Sequence, residues 1–127
     1  MSEKGRILVV EDNDFVRMQI VRFLADDGYD VVETADGAQA LQHMEEKVDL
    51  ALVDVRMEPM GGFEFIRSIR SHDKNTPVIL VTGDQNPDLL SEAGKWGVGA
   101  VLMKPVQKDR LLMTVSRTIE SSQRAKA

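Results

Sequence analysis

Residues 50–54 read Leu50-Ala51-Leu52-Val53-Asp54, an unbroken apolar run that ends in a carboxylate. Apolar runs of about four to eight residues without alternation are typical of parallel strands buried on both faces. Similar runs recur along the chain. Together they predict five strands, at about 6–10, 30–34, 50–54, 77–82 and 100–103.

The segments between these runs have helical rather than strand periodicity. Apolar stripes at helical spacing are Val16, Ile20, Phe23 and Leu24; Ala38, Leu41 and Met44; Phe63, Ile66 and Ile69; and Leu111, Leu112, Val115 and Ile119 in a final helix at 108–121. Asp36 and Gln39 resemble a capping box, and Asn86-Pro87 places a cap before a first-turn proline. Alternating strands and helices predict an α/β domain whose parallel sheet is covered on both faces.

Length and composition restrict the class of protein. With 127 residues, 43% of them apolar and 29% charged, the chain suits one globular domain. No apolar stretch approaches the roughly 20 residues that span a bilayer, and the amino terminus lacks the apolar region of a secretory signal. The absence of cysteine excludes disulfides and thiolate metal sites. We therefore predict a cytoplasmic protein without a membrane segment.

The net charge of −5 argues against direct nucleic-acid binding, which depends on clustered lysine and arginine. Some of the acidic residues lie at the ends of predicted strands. Glu11-Asp12, Asp54, Thr82 and Lys104 each follow or end a predicted strand. Because parallel strands place their carboxyl ends along one edge, these side chains are expected to converge there.

This set of side chains suits phosphoryl chemistry. Carboxylates at one point favour a hard divalent cation such as Mg²⁺. The cation and the ammonium of Lys104 would neutralise the charge of a transferring phosphoryl group. Asp54, buried at a strand end, is the candidate nucleophile.

The strand-end motifs resemble those of receiver domains in the response regulators of two-component signalling. They are Val9-Val10-Glu11-Asp12-Asn13; Asp54 with Met57 and Gly61-Gly62; Val81-Thr82-Gly83; and Lys104-Pro105. The resemblance covers about residues 5–121 and implies a doubly wound, five-stranded parallel sheet of flavodoxin-like order 2-1-3-4-5, with helices on both faces. We expect a receiver domain at 1–121 and a polar C-terminal tail at 122–127.

The resemblance also implies the roles of the site residues. Asp54 would accept a phosphoryl group from a histidine kinase or a phosphotransfer protein. Mg²⁺, or Mn²⁺ in its place, would be bound by Glu11, Asp12, Asp54 and the backbone carbonyl of Met57. Thr82 would hydrogen-bond a phosphoryl oxygen, Lys104 would pair with it, and the Lys104–Pro105 peptide would be cis.

By the same resemblance the chain is a signalling phosphoacceptor rather than an enzyme with a separate substrate. It would catalyse its own phosphorylation and autodephosphorylation. Phosphorylation would change its affinity for a downstream protein partner, for an effector domain absent from this chain, or for a second copy in a phosphorylation-dependent dimer. The family's usual output face, formed by the fourth helix, fifth strand and fifth helix, carries Trp96, either as a partner anchor or half-buried against the helix.

Some positions depart from the family pattern. Val101 replaces the usual aromatic residue three before the lysine, so the switch cannot use rotation of that aromatic ring. Glu58 occupies the usual proline position, with Pro59 one place later, and Gly83 replaces a frequent alanine. Positions two after the phosphoacceptor and two after the threonine are Arg56 and Asp84, a charge pair expected to limit the access of hydrolytic water.

Three alternatives remain open from the sequence. A flavodoxin-like FMN-binding protein shares the architecture, but the acidic Glu11–Asp14 segment would repel phosphate where that class needs a phosphate loop. A phosphatase of the haloacid dehalogenase type usually has a second aspartate two residues after the nucleophile, where this chain has Arg56. The third is a receiver-like binding module that is never phosphorylated.

Overall fold

The computed structural model describes residues 4–58, 60–72, 75–83 and 86–126, within which five strands alternate with five helices. The strands are β1 (Arg6–Val10), β2 (Asp30–Thr34), β3 (Leu50–Asp54), β4 (Val78–Thr82) and β5 (Ala100–Met103). The helices are α1 (Asp14–Asp26), α2 (Gly37–His43), α3 (Gly62–Ser71), α4 (Pro87–Lys95) and α5 (Lys108–Lys126). All five predicted strands are confirmed to within one residue.

All strand pairs are parallel, and the sheet has the order β2-β1-β3-β4-β5, as the resemblance implies. Strands β3 and β4 are buried along their whole length, and β1 is buried after Arg6. The edge strands β2 and β5 are partly exposed. The longest apolar runs of the sequence are therefore those at the centre of the sheet.

Two apolar cores lie on opposite faces of the sheet because successive strand residues point to opposite sides. One core joins α1 and α5 to residues such as Val9, Leu52 and Val81. The other joins α2, α3 and α4 to residues such as Val53 and Leu80. This arrangement is the predicted doubly wound fold.

The predicted helix stripes are partly confirmed. The stripe of α1 is buried at Ile20 and Leu24. In α2 the stripe is confirmed at Met44, which is buried, and at Leu41, which packs against the core, but Ala38 was wrong because it is exposed. In the first turn the buried residue is Gly37, four positions before Leu41, and the stripe also omitted the buried Ala40. Buried residues of α3 include Phe65, which the sequence stripe omitted, together with Ile66 and Ile69.

The helix ends follow local capping chemistry. Asp36 Oδ1 accepts a hydrogen bond from Gln39 N at 2.9 Å, while Gln39 Oε1 accepts one from Ala35 N at 3.2 Å. The predicted end of α5 at residue 121 was wrong, since the helix continues to Lys126 through a segment without glycine or proline. The division into a domain at 1–121 and a tail at 122–127 stays a prediction. Within the described residues, none of the helices combines the length and apolar character needed to cross a membrane.

Candidate functional site

The predicted strand-end residues meet at the carboxyl edge of the sheet. Asp54 ends β3, Thr82 ends β4, and Lys104 follows β5. Together with Asp12, which follows β1, they line one cavity of about 550 Å³. The cavity wall is completed by Asn13, Arg56 and Gly83.

Two carboxylates at this edge are buried and share an ammonium group. Glu11 is 1% exposed and Asp54 is 6% exposed. Lys104 Nζ lies 2.9 Å from Glu11 Oε1 and 3.4 Å from Asp54 Oδ1. Burial alone would lower the pKa of Lys104, but these two carboxylates raise it above its ordinary value. The lysine is therefore held as a cation beside Asp54.

Several contacts fix the orientation of Glu11. Its backbone N–H donates to Thr34 O at 3.1 Å, and its carbonyl accepts from Arg17 Nη1 at 2.7 Å. Asn13 N donates to Glu11 Oε2 at 3.2 Å. Glu11 Oε1 is buried, and the Lys104 ammonium lies 2.9 Å from it. A carboxylate oxygen has more than one lone pair, so Glu11 Oε1 can also accept a further electropositive ligand.

The acidic group suits a hard divalent cation. Carboxylate oxygens of Glu11, Asp12 and Asp54 lie within 4.8 Å of one another. Burial, followed by the neighbouring Glu11, raises the pKa of Asp12. Oxygen donors at this spacing match the ligands that Mg²⁺ and Mn²⁺ take in proteins.

Backbone pairing brings Thr82 and Lys104 together. Thr82 is buried, and its carbonyl accepts a hydrogen bond from Lys104 N at 2.9 Å. The Lys104–Pro105 peptide bond is cis, the isomer that the resemblance implies. The hydroxyl-bearing end of β4 and the ammonium therefore face the same cavity.

Arg56 lies at the mouth of the cavity. Arg56 lines it and also borders a second surface cleft with Asp12, Met57 and Glu58. Asp84 and Pro59 lie outside the described residues, so the pairing of Asp84 with Arg56 stays a prediction. The Met57 side chain is buried, and the role of its carbonyl as a metal ligand also stays a prediction.

The departures from the family pattern differ in their effect on packing. At Gly83 no described atom lies within 4 Å of an added Cβ, so the missing alanine reflects no steric conflict. Val101 is half-buried and packs on the same apolar core as Trp96. Trp96 is half-buried too, and Lys95 Nζ lies 5.8 Å from its ring centroid.

Sequence reasoning missed two residues that support the site. Arg17 contacts the Glu11 carbonyl, and buried Thr34 donates its hydroxyl to Val9 O at 3.1 Å. The sequence carries one weak signal for Arg17, which is its position three residues after Asp14 on α1, where the two side chains pair. Nothing in the sequence distinguishes Thr34 from an ordinary strand threonine.

Comparison with known proteins agrees with this architecture. A sequence model of the response regulator receiver domain matches residues 7–116. Over 115 residues the chain is 40% identical to the CAI-1 autoinducer sensor kinase/phosphatase CqsS of Vibrio cholerae, a match that covers 87% of this chain and 17% of that longer protein.

Whole-length relatives are similar as well. The chemotaxis protein CheY of Bacillus subtilis is 32% identical over 116 residues, which are 90% of this chain and 97% of CheY. The solved structure of Vibrio cholerae CheY4 superposes with a TM-score of 0.85 at 32% identity, covering 90% of this chain and 98% of CheY4. The sheet order, the acidic strand ends and these matches lead to one conclusion: the chain belongs to the response regulator receiver domain family and is a CheY-like receiver domain of two-component signalling.

Proposed function

We propose that Asp54 accepts a phosphoryl group from a phosphohistidine of a histidine kinase or phosphotransfer protein. The observation that carries this proposal is the buried position of Asp54 at the end of β3, 3.4 Å from the Lys104 ammonium and in one cavity with Thr82. A carboxylate in such a place costs stability unless it is paired or coordinated. Phosphoryl transfer uses both its nucleophilicity and the positive charge beside it.

The transfer step is a displacement at phosphorus. A carboxylate oxygen of Asp54 forms a bond to phosphorus as the phosphorus–nitrogen bond of the donor breaks. The electron pair of that bond stays on the histidine nitrogen, which takes a proton. Lys104 then pairs with a phosphoryl oxygen, and the Thr82 hydroxyl donates a hydrogen bond to another.

The proposed metal ligands are Glu11, Asp12, Asp54 and the carbonyl of Met57, with Mg²⁺ as the ion and Mn²⁺ as its substitute. When bound, the ion would supply positive charge against the charge spread over the phosphoryl oxygens. The three carboxylates would hold it in the cavity that Lys104 also lines. With these groups in one chain, the domain catalyses its own phosphorylation, and later its own dephosphorylation.

The test is covalent labelling with a small phosphodonor such as acetyl phosphate in the presence of Mg²⁺. We expect the intact mass of the wild type to rise by one phosphoryl group, and the rise to disappear in Asp54→Asn. Asp49→Asn is the matched control, since Asp49 precedes the other end of β3 and contacts Arg6 N at 2.8 Å. Equal labelling of all three proteins would contradict the assignment of Asp54. An unlabelled wild type would favour the receiver-like module that is never phosphorylated.

The proposed output is a change in affinity for another protein. Phosphorylation can only shift an equilibrium between two existing states. The surface of α4, β5 and α5 offers exposed apolar side chains, namely Leu90, Met103 and Met113. A downstream partner, an effector domain or a second copy of the chain would bind there. Location in the cytoplasm and the lack of nucleic-acid binding stay predictions.

Because Val101 lacks an aromatic ring, Thr82 and the loop after it must carry the conformational signal. NMR spectra of the phosphorylated protein should therefore show shifts between residues 91 and 119, beyond the cavity itself. Shifts confined to the cavity would count against this output surface.

A further inference from the structure

We propose that Arg17 is a positioning residue of the phosphoryl-transfer site, holding the backbone that presents Glu11 and Asp12 to the metal ion. The inference rests on the proposed function, because it concerns the same metal site. The inference goes beyond the proposed function by assigning a role to a residue that neither lines the cavity nor belongs to the acidic group.

The guanidinium of Arg17 joins three elements at once. Nη1 donates to Glu11 O at 2.7 Å, Nη2 to Asp14 Oδ1 at 2.6 Å, and Nε to Glu33 Oε1 at 3.3 Å. The Arg17 side chain is 16% exposed, whereas those of Asp14 and Glu33 are 90% and 55% exposed. The planar guanidinium group of this largely buried side chain therefore connects the end of β1 to the first turn of α1 and to β2.

The bond to Glu11 O has a direct consequence for the site. That carbonyl belongs to the peptide group that links Glu11 to Asp12. Its direction therefore fixes the orientation of the backbone that carries both acidic side chains. Glu11 is paired to β2 through its own N–H, which donates to Thr34 O at 3.1 Å. Arg17 fixes the following peptide, which lies beyond the last residue of β1.

A positioning role and a purely electrostatic role of Arg17 predict opposite effects of its substitution on metal affinity. If only its positive charge mattered, removing that charge would strengthen cation binding nearby. If its geometry matters, even lysine should weaken binding, because an ammonium cannot reproduce a fork of three donors. Partners that orient metal ligands typically account for roughly 10–100-fold in metal affinity.

The experiment compares Arg17→Lys, Arg17→Met and a control, Arg6→Lys. Arg6 is also an arginine between two carboxylates, 2.9 Å from Asp30 and 3.7 Å from Glu46, but it lies at the other end of β1 and β2. Calorimetric titration gives the Mg²⁺ affinity, and hydrogen exchange in the metal-free protein reports on the amides of residues 12–14. Thermal melts establish that each variant is folded.

We expect Arg17→Lys to weaken Mg²⁺ binding by roughly 10-fold or more and to speed exchange at residues 12–14, while Arg6→Lys changes neither. Wild-type affinity and exchange in Arg17→Lys would overturn the proposal, as would equal effects in Arg6→Lys. Tighter Mg²⁺ binding in Arg17→Met with unchanged exchange would do so too, because it would assign Arg17 a purely electrostatic effect. If the wild type binds no Mg²⁺ and takes no phosphoryl label, the proposed function fails, and exchange in the metal-free protein still decides whether Arg17 positions the acidic pair.

Discussion

The two ends of the central strand β3 each carry an aspartate, but in very different surroundings. At the amino end, Asp49 Oδ2 accepts a hydrogen bond from Arg6 N at 2.8 Å, and Asp49 N donates to Arg6 O at 2.9 Å. At the carboxyl end, Asp54 is buried beside Glu11, and Lys104 is their shared cation. The first aspartate hydrogen-bonds the backbone at the start of the neighbouring strand β1, whereas the second faces a cavity.

The charge balance of the two ends differs in the same way. Near the amino end, Arg6 meets Asp30 and Glu46 with side chains that are all more than a third exposed. Exposed pairs of this kind contribute only about 0–1 kcal/mol each. At the carboxyl end, the buried carboxylates of Glu11 and Asp54 share the Lys104 ammonium, and the carboxylate of Asp12 lies within 4.8 Å of both. A cluster of three carboxylates, two of them buried beside a lysine, is the feature that marks a functional site here.

The largest expected effect comes from removing the cation of the carboxyl end. We predict that Lys104→Met slows labelling of Asp54 by a small phosphodonor by roughly 100-fold or more, as loss of one charge-stabilising donor typically does. Initial rates at saturating Mg²⁺, read by intact mass, measure this. Lys4→Met, which breaks an exposed 2.9 Å pair with Asp27, should leave the rate unchanged.

A folding defect in Lys104→Met is distinguishable from a chemical one. Thermal melts of Lys104→Met under the labelling conditions establish whether the variant is folded, and a folded variant that labels slowly has a chemical defect. A labelling rate within a few-fold of wild type in Lys104→Met would mean that the ammonium is not part of the transfer chemistry.

The next effect concerns packing at the same end of β3. A Cβ on Gly62 would collide with the carbonyl oxygen of Asp54, whereas nothing described lies within 4 Å of a Cβ on Gly94 in α4. Gly62→Ala should therefore lower the free energy of unfolding by about 1–3 kcal/mol, the usual cost of overpacking. Gly94→Ala should raise it by about 0.5–1 kcal/mol. Urea titrations measure both, and a neutral Gly62→Ala would show that this end of β3 tolerates displacement.

The charge imbalance should also appear as a pH dependence. Burial and the neighbouring Glu11 raise the folded-state pKa of Asp12, so the folded metal-free protein binds this proton more tightly than the unfolded chain does. The Asp12 contribution to stability must then fall as pH rises from about 3.9 through the raised folded-state pKa. We expect the thermal stability of wild type relative to Asp12→Asn to decrease across that window and then level off. A difference that grows with pH would contradict the raised pKa.

The smallest predicted effect is at the mouth of the cavity. If Arg56 and Asp84 limit water access through an exposed pair worth about 0–1 kcal/mol, Arg56→Ala should accelerate decay of phospho-Asp54 by up to roughly five-fold. Decay rates of wild type, Arg56→Ala, Asp84→Ala and the double variant give the test. Acceleration that is not additive indicates that the two residues act as a pair, and four identical rates exclude them from gating.

The carboxyl end was predictable because two regularities of the sequence agree. Central parallel strands are buried on both faces and so appear as unbroken apolar runs, which placed β3 and β4 correctly. Parallel geometry then brings their ends to one edge, which placed Asp54 and Thr82 in one cavity. The convergence needed no knowledge of side-chain packing.

Features that depend on rotation or distant contact were not predictable. The buried face of α2 depends on the residue at which the helix begins, and Ala38 was assigned to it wrongly. The end of α5 has no stop signal in the sequence, so its continuation to Lys126 was missed. The contact of Arg17 with Glu33 joins residues 16 positions apart in different elements, which no local pattern indicates.

The most direct test of the contrast between the two ends is a calorimetric titration of the metal-free protein with MgCl₂. We predict one Mg²⁺ per wild-type chain and an affinity that falls by more than roughly 10-fold in Asp12→Asn, since a ligand should matter at least as much as an outer-shell partner. Asp49→Asn, at the amino end, should titrate like wild type. No binding to the wild type, or equal binding to wild type and Asp12→Asn, would contradict the claim that the unbalanced carboxylates form the metal site.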